Sequence, residues 1–143
     1  MKKIFVIDWV LVCVFVFSAF SGIGLHIAGH GHNHELWHHW AVGHVLTGFL
    51  FFLAVLFHIT IHGGWYKGAV RNGIGKKSKI TAALSVIFLL VSVTGFILLG
   101  VNGENSGIGL WHYRIGIAAT ILSVGHILKR IRLLRKSIQH RSE

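Results

Sequence analysis

The chain has 143 residues, 53% of them hydrophobic and 13% charged, with no proline, 18 glycines and a mean hydropathy of +0.67. Fourteen Lys and Arg stand against four Asp and Glu, a balance that suits nucleic acid or anionic lipid; so much unbroken apolar sequence excludes a soluble basic protein, and it excludes disorder, whose signature is low hydrophobicity. One domain is expected at this length, and the single cysteine, Cys13, excludes a disulfide framework and a CxxCH attachment for c-type haem.

A membrane-spanning helix needs about 20 mostly apolar residues. Four stretches meet that requirement: Ile4 to Ile27, Trp40 to Ile61, Ile80 to Val101 and Leu110 to Leu128. The first follows Lys2 and Lys3, and Ala19-Phe20-Ser21 is a passable cleavage triplet, but Asp8 and Trp9 interrupt the apolar region that a signal peptide needs. The fourth is the weakest by hydropathy, with His112 and Arg114 in its first turn and His126 near its end. The fold expected is all-α: an integral membrane four-helix up-down bundle, a single domain over 1–143, with helices at about 4–27, 36–62, 80–101 and 109–131.

Positive charge sets orientation. Lys2 and Lys3 precede the first span, Lys67, Arg71, Lys76, Lys77 and Lys79 lie between the second and third, and Lys129, Arg130, Arg132, Arg135, Lys136 and Arg141 follow the fourth. Thirteen of the fourteen therefore fall on one side. The expected location is the cell's inner (cytoplasmic) membrane, multi-pass, with both termini cytoplasmic and the 28–39 and 102–109 loops on the opposite face. Topology and contact with anionic membrane lipid account for the basic blocks, so no nucleic-acid partner is expected. In this arrangement the second and fourth helices run parallel.

Twelve histidines remain to be explained. Ionisable side chains at membrane depth are costly and point to function. His44 and His58 are 14 residues apart on the second helix, and His112 and His126 are 14 apart on the fourth. Fourteen steps of about 100° return to within roughly 40° of the starting direction and rise about 21 Å. Each helix thus carries two imidazoles on nearly one face, and His44 can meet His112 near one leaflet while His58 meets His126 near the other. Two facing imidazoles in an apolar gap are what a b-type haem needs, so these four are the candidate axial ligands of two haem irons. Gly48 and Gly116 each follow the first ligand of their helix by four residues, where a flat macrocycle calls for a small residue.

Two other readings stand beside this one. A single intramembrane histidine can simply hydrogen-bond a neighbouring helix. A zinc or copper site would usually add carboxylates near the midplane, and within the spans the acid is Asp8, near one edge. The absence of proline argues against a broken-helix transporter.

Trp40-Ala-Val-Gly-His44, followed by His58 and Gly64-Trp65-Tyr66, resembles the second helix of small four-helix membrane b-type cytochromes, the flavinylation-associated cytochromes. More distantly the helices resemble the cytochrome b subunits of membrane formate dehydrogenases and hydrogenases. The resemblance covers nearly the whole chain, although its specific part is about ten positions. It implies two haem b groups on His44, His58, His112 and His126, and an electron-transfer subunit of a quinone-linked oxidoreductase complex in a respiratory chain. The partners it implies are a quinone and an extracytoplasmic redox subunit, whether a c-type cytochrome, an iron-sulfur protein or a flavoprotein. Dehydrogenase-type subunits can use a first-helix histidine, which makes His26 an alternative ligand to His44 or His112.

Arg114 is the one Lys or Arg on the outer side, suited to a haem propionate because guanidinium matches carboxylate in a two-bond fork. His62, Lys67 and Arg71 on the inner side suit propionates or a quinone, or are snorkelling side chains. The run His30-Gly-His32-Asn-His34 with His38 and His39 is a candidate site for a transition metal or a third haem, or a solvated loop. A metal-binding or metal-transporting protein built on this loop is the alternative function. Trp65, Tyr66, Trp111 and Tyr113 are expected to anchor the interfaces, and Cys13 to be a packing residue.

Overall fold

The computed structural model describes residues 3–75, 79–101 and 106–139, and for residues 3–5 and 132–139 the backbone alone. Lys2, Lys76, Lys77 and Arg141, the side chains of Lys3, Arg132, Arg135 and Lys136, and most of the 102–109 loop lie outside that description. The described residues form five helices: α1 (Lys3–Gly29), α2 (His34–Ile61), α3 (Gly63–Asn72), α4 (Lys79–Gly100) and α5 (Gly107–Gln139).

Local chemistry sets the helix ends. Asn33 caps α2 by accepting the Leu36 N–H at 3.0 Å, and Glu35 follows in the first turn, where an acid suits the helix dipole. The helix therefore starts at His34, two residues before the position expected from hydropathy. Ser106 caps α5 in the same way through the Gly109 N–H at 3.1 Å. The connection after α2 contains a helix that hydropathy does not reveal. α3 is short and polar, and His62 joins it to α2, its N–H donating back to the His58 carbonyl at 3.0 Å. The α3 helix ends at Gly73, whose φ of +77° favours a residue without Cβ. Tyr66 Oη lies 2.8 Å from Ser85 Oγ, which ties α3 to α4.

The long helices pack in the cyclic order α1, α2, α4, α5. α1 lies along α2, α4 along α5, and α1 also meets α5. Phe51 and Phe52 of α2 reach Phe88 of α4 with ring centres 6.1 and 5.9 Å apart, and Phe52 reaches Phe96 at 5.2 Å. The α1–α2 pair is antiparallel with a seven-residue repeat. Asp8, Phe15, Gly22 and Gly29 meet, in reverse order, His58, Phe51, His44 and Trp37. Such a repeat keeps one seam of each helix facing its neighbour. Along the seam α1 supplies small residues and α2 large ones: a Cβ on Gly24 would lie 2.6 Å from the Trp40 indole. Small residues let the backbones approach where lipid provides no hydrophobic drive.

Among the described residues only Phe15, Ser21, Ala28 and Ala54 are buried. Large apolar side chains instead cover the outside; Phe20, Ile27 and Ile121 are 65%, 67% and 67% exposed. A water-soluble surface rarely carries apolar area so continuous. Val6–Gly29, His34–Ile61 and Lys79–Gly100 are long and apolar enough to cross a membrane. α5 is not among them, because His112, Tyr113, Arg114 and His126 dilute its apolar stretch.

Candidate metal-ligating site

Two levels of histidines stand out, one towards the α1–α2 turn (the loop end) and one where α1 begins and α5 ends (the terminal end). At the loop end, the His44 and His112 rings face each other with centres 6.1 Å apart and planes at 70°. Two imidazoles on opposite sides of one metal atom, with metal–nitrogen distances of about 2.0–2.1 Å and a ring radius of about 1.1 Å, would have centres about 6.3 Å apart, against about 5.1 Å for two at a tetrahedral angle. The observed 6.1 Å is compatible with the first arrangement.

Hydrogen bonds bear on which ring nitrogen carries the proton. His44 Nδ1 is 3.2 Å from the Ser18 carbonyl oxygen. A carbonyl only accepts, so Nδ1 carries the proton and Nε2 keeps its lone pair. Ser21 Oγ completes the corner: it donates to the Ser18 carbonyl at 3.0 Å and lies 3.2 Å from His44 Nδ1 and 2.9 Å from Thr47 Oγ1. His112 is held the same way. Thr94 Oγ1 donates back to the Leu90 or Val91 carbonyl at 2.9 or 3.1 Å, leaving its oxygen to accept from His112 Nδ1 at 2.9 Å. Metal-bound histidines commonly anchor their second nitrogen in this manner.

A glycine beside each hydroxyl makes room for the ring. A Cβ on Gly22 would lie 2.9 Å from His44 Cε1, and one on Gly95 would lie 3.1 Å from His112 Cε1. Ser21-Gly22 on α1 and Thr94-Gly95 on α4 are therefore the same device used twice. Phe15 and Phe88 precede the two glycines by the same seven residues, while His44, Gly48 and His58 on α2 match His112, Gly116 and His126 on α5. These six positions recur at the same spacings within the helices of the two hairpins. The signal lies in the sequence, but hydroxyl-glycine pairs are common in membrane helices, and only the packing shows that these two face histidines.

At the terminal end His58 Nδ1 donates to Asp8 Oδ1 at 2.9 Å. This again leaves the His58 Nε2 lone pair free, here with a carboxylate behind the ring. His62 stacks near His58 with ring centres 4.5 Å apart, and its Nε2 is 3.6 Å from the same Asp8 oxygen, too long for a hydrogen bond. His126 on α5 is half-buried and within electrostatic range of Asp8, His58 and His62. Asp8, His58 and His62 form the one group of three or more metal-capable side chains that converges among the described residues. Trp9 Nε1 and His62 Nε2 are buried there without a hydrogen-bond partner.

The other expected residues fall as follows. Gly48 and Gly116 face open space: a Cβ on either would meet no atom within 4 Å, so helix packing does not account for them. His26 stacks on Tyr113 with ring centres 3.6 Å apart and contacts His30 at 4.7 Å. Arg114 is exposed and lies over the Trp111 ring at 5.8 Å. The loop histidines are exposed and spread along two helix ends. His30 and His39 each turn Nδ1 to the carbonyl four residues back, His26 and Glu35, at 2.8 Å.

Comparison of the chain with protein-family models, with curated proteins and with solved structures found no match. The fold and site thus define an all-helical protein with three helices apolar enough to cross a membrane, and with His44, His58 and His112 each meeting an oxygen of a neighbouring helix through Nδ1.

Proposed function

We propose that the chain is a dihaem b-type membrane cytochrome that passes electrons across the bilayer. In this reading α1, α2, α4 and α5 form a four-helix membrane bundle, with α5 as a fourth span and both termini on the cytoplasmic side. The observation that carries the proposal is the facing pair His44 and His112, 6.1 Å apart, each ring fixed through Nδ1 so that Nε2 is available. His58, oriented by Asp8, and His126 would hold the second haem.

Haem, when bound, supplies a one-electron iron couple. His44 with His112, and His58 with His126, would each hold one haem iron through two imidazoles, which would leave no coordination site for oxygen or substrate. Open space beside Gly48 and Gly116 suits a flat ring against the backbone. Arg114 is the cation available to a propionate at the loop end. The sequence resemblance points to a membrane quinone as one redox partner and an extracytoplasmic subunit as the other.

The test is a reduced-minus-oxidised visible spectrum with pyridine haemochrome quantitation. The unmodified protein is expected to carry about two b haems per chain, and single His44, His58, His112 and His126 to Ala variants to lose haem. A folded preparation expressed with ample haem and carrying none overturns the reading. Asp8, His58 and His62 then become the first place to look for a bound metal ion.

A further inference from the structure

The seven-residue series that α1 and α4 share changes its chemistry at one end. Counting back seven residues from Gly22 gives Phe15, and seven more gives Asp8; the same count from Gly95 gives Phe88 and then Thr81. The two halves thus match in glycine and phenylalanine, and differ where one has a carboxylate and the other a neutral hydroxyl. At the loop end the acceptors behind the rings are also neutral, a carbonyl for His44 and a hydroxyl for His112. Of His44, His58 and His112, His58 is the one whose Nδ1–H donates to an anion.

A carboxylate behind a ligating imidazole makes the ring a stronger donor and favours the more positive metal state. Hydrogen bonding and burial of this kind set iron potentials. In a site lined by apolar helices the charge is poorly screened, so its influence exceeds that of a similar group in water. Asp8 is held for the task, with its side chain only 19% exposed and His62 lying 3.6 Å from the same oxygen.

Resting on the reading of His58 as an axial ligand, we propose that Asp8 is the positioning residue of the terminal-end centre and holds it at a lower reduction potential than the loop-end centre. The step concerned would be the transfer of one electron from an external reductant, dithionite in the test below, to iron(III) to give iron(II), with both imidazoles retained and no bond broken. The negative charge of Asp8 opposes that gain at its own end. The two centres are then unequal by construction, although the ligand residues are the same.

The experiment is a potentiometric titration of the purified full chain with dithionite and ferricyanide, followed in the haem visible band. His58→Ala identifies the midpoint that belongs to the terminal end, expected to be the lower of two. In Asp8→Asn that midpoint should rise so that the reduced form is favoured about tenfold more, equivalent to 59 mV for one electron, while the other stays in place. Asp8→Glu, which keeps the charge, should keep the low value. Loss of that haem from Asp8→Asn but not from Asp8→Glu supports the same conclusion, since the amide preserves shape and removes charge. The proposal is overturned if the midpoint lost in His58→Ala is the higher one, if Asp8→Asn leaves it unmoved, or if both midpoints shift together. Absence of haem from the unmodified protein is a separate failure, that of the cytochrome reading itself.

Discussion

His44 and His112, one on each hairpin, face each other with ring centres 6.1 Å apart and planes at 70°. Neither ring is placed by its own helix alone. α1 fixes the first through the Ser18 carbonyl and Ser21, and α4 fixes the second through Thr94. The helices without the paired histidines thus act as the mould for those that carry them.

The mould is sensitive to a single methyl group. Gly22→Ala and Gly95→Ala each push a Cβ to about 3 Å from the ring they shelter, and the ring must turn or the helix move. Overpacking of this kind costs about 1–3 kcal/mol. Each variant is expected to lower haem content at the loop-end site, read as a fall from about two haems per chain towards one. Gly43→Ala is the control, since its Cβ meets nothing within 4 Å. Equal haem content in all three variants would contradict the assigned roles.

Thr94 acts through one atom. Thr94→Val keeps the shape and removes the acceptor of His112 Nδ1–H, whereas Thr94→Ser retains it. Loss of such a supporting hydrogen bond typically weakens metal binding 10–100-fold. Haem transfer to apomyoglobin should therefore be faster from Thr94→Val and near the unmodified rate from Thr94→Ser.

The loop histidines should be dispensable for the haem centres. His30, His32, His34, His38 and His39 are exposed and do not gather into a cluster with one another. Their joint replacement by Gln is expected to leave haem content unchanged within error, measured by pyridine haemochrome. A zinc or copper content that falls to zero in the same variant, with no haem in either protein, would favour the metal-handling alternative.

Topology can be read with two engineered thiols. In a Cys13→Ser background, Asn33→Cys lies at the α1–α2 turn and Ile74→Cys beyond α3, with α2 between them. A membrane-impermeant maleimide added to intact cells is expected to label the first and to reach the second only after permeabilisation. This follows from the basic residues Lys67, Arg71 and Lys79 near Ile74. Labelling of both from outside would show that α2 does not span.

The apolar helices were legible because hydropathy is a sum over neighbours in sequence, and in α1, α2 and α4 that sum stays high despite single polar residues such as Asp8 and His44. The short α3 was not, since its ten residues mix glycine, aromatic and basic side chains and offer no long period. Asp8 illustrates the gap at the site. From the sequence it is an acid near one edge of the first span; only the antiparallel register of α1 against α2 brings it 2.9 Å from His58.

The sequence by itself determined that three helices are long and apolar enough to cross a membrane and that two helices each carry two histidines 14 residues apart, because composition and helical period are local properties. Tertiary structure decided which histidines face each other, which ring nitrogen keeps its lone pair, and which glycines make room. Those depend on the register between helices distant in sequence. A hydroxyl-glycine pair or a lone carboxylate acquires a role only from the side chain packed against it.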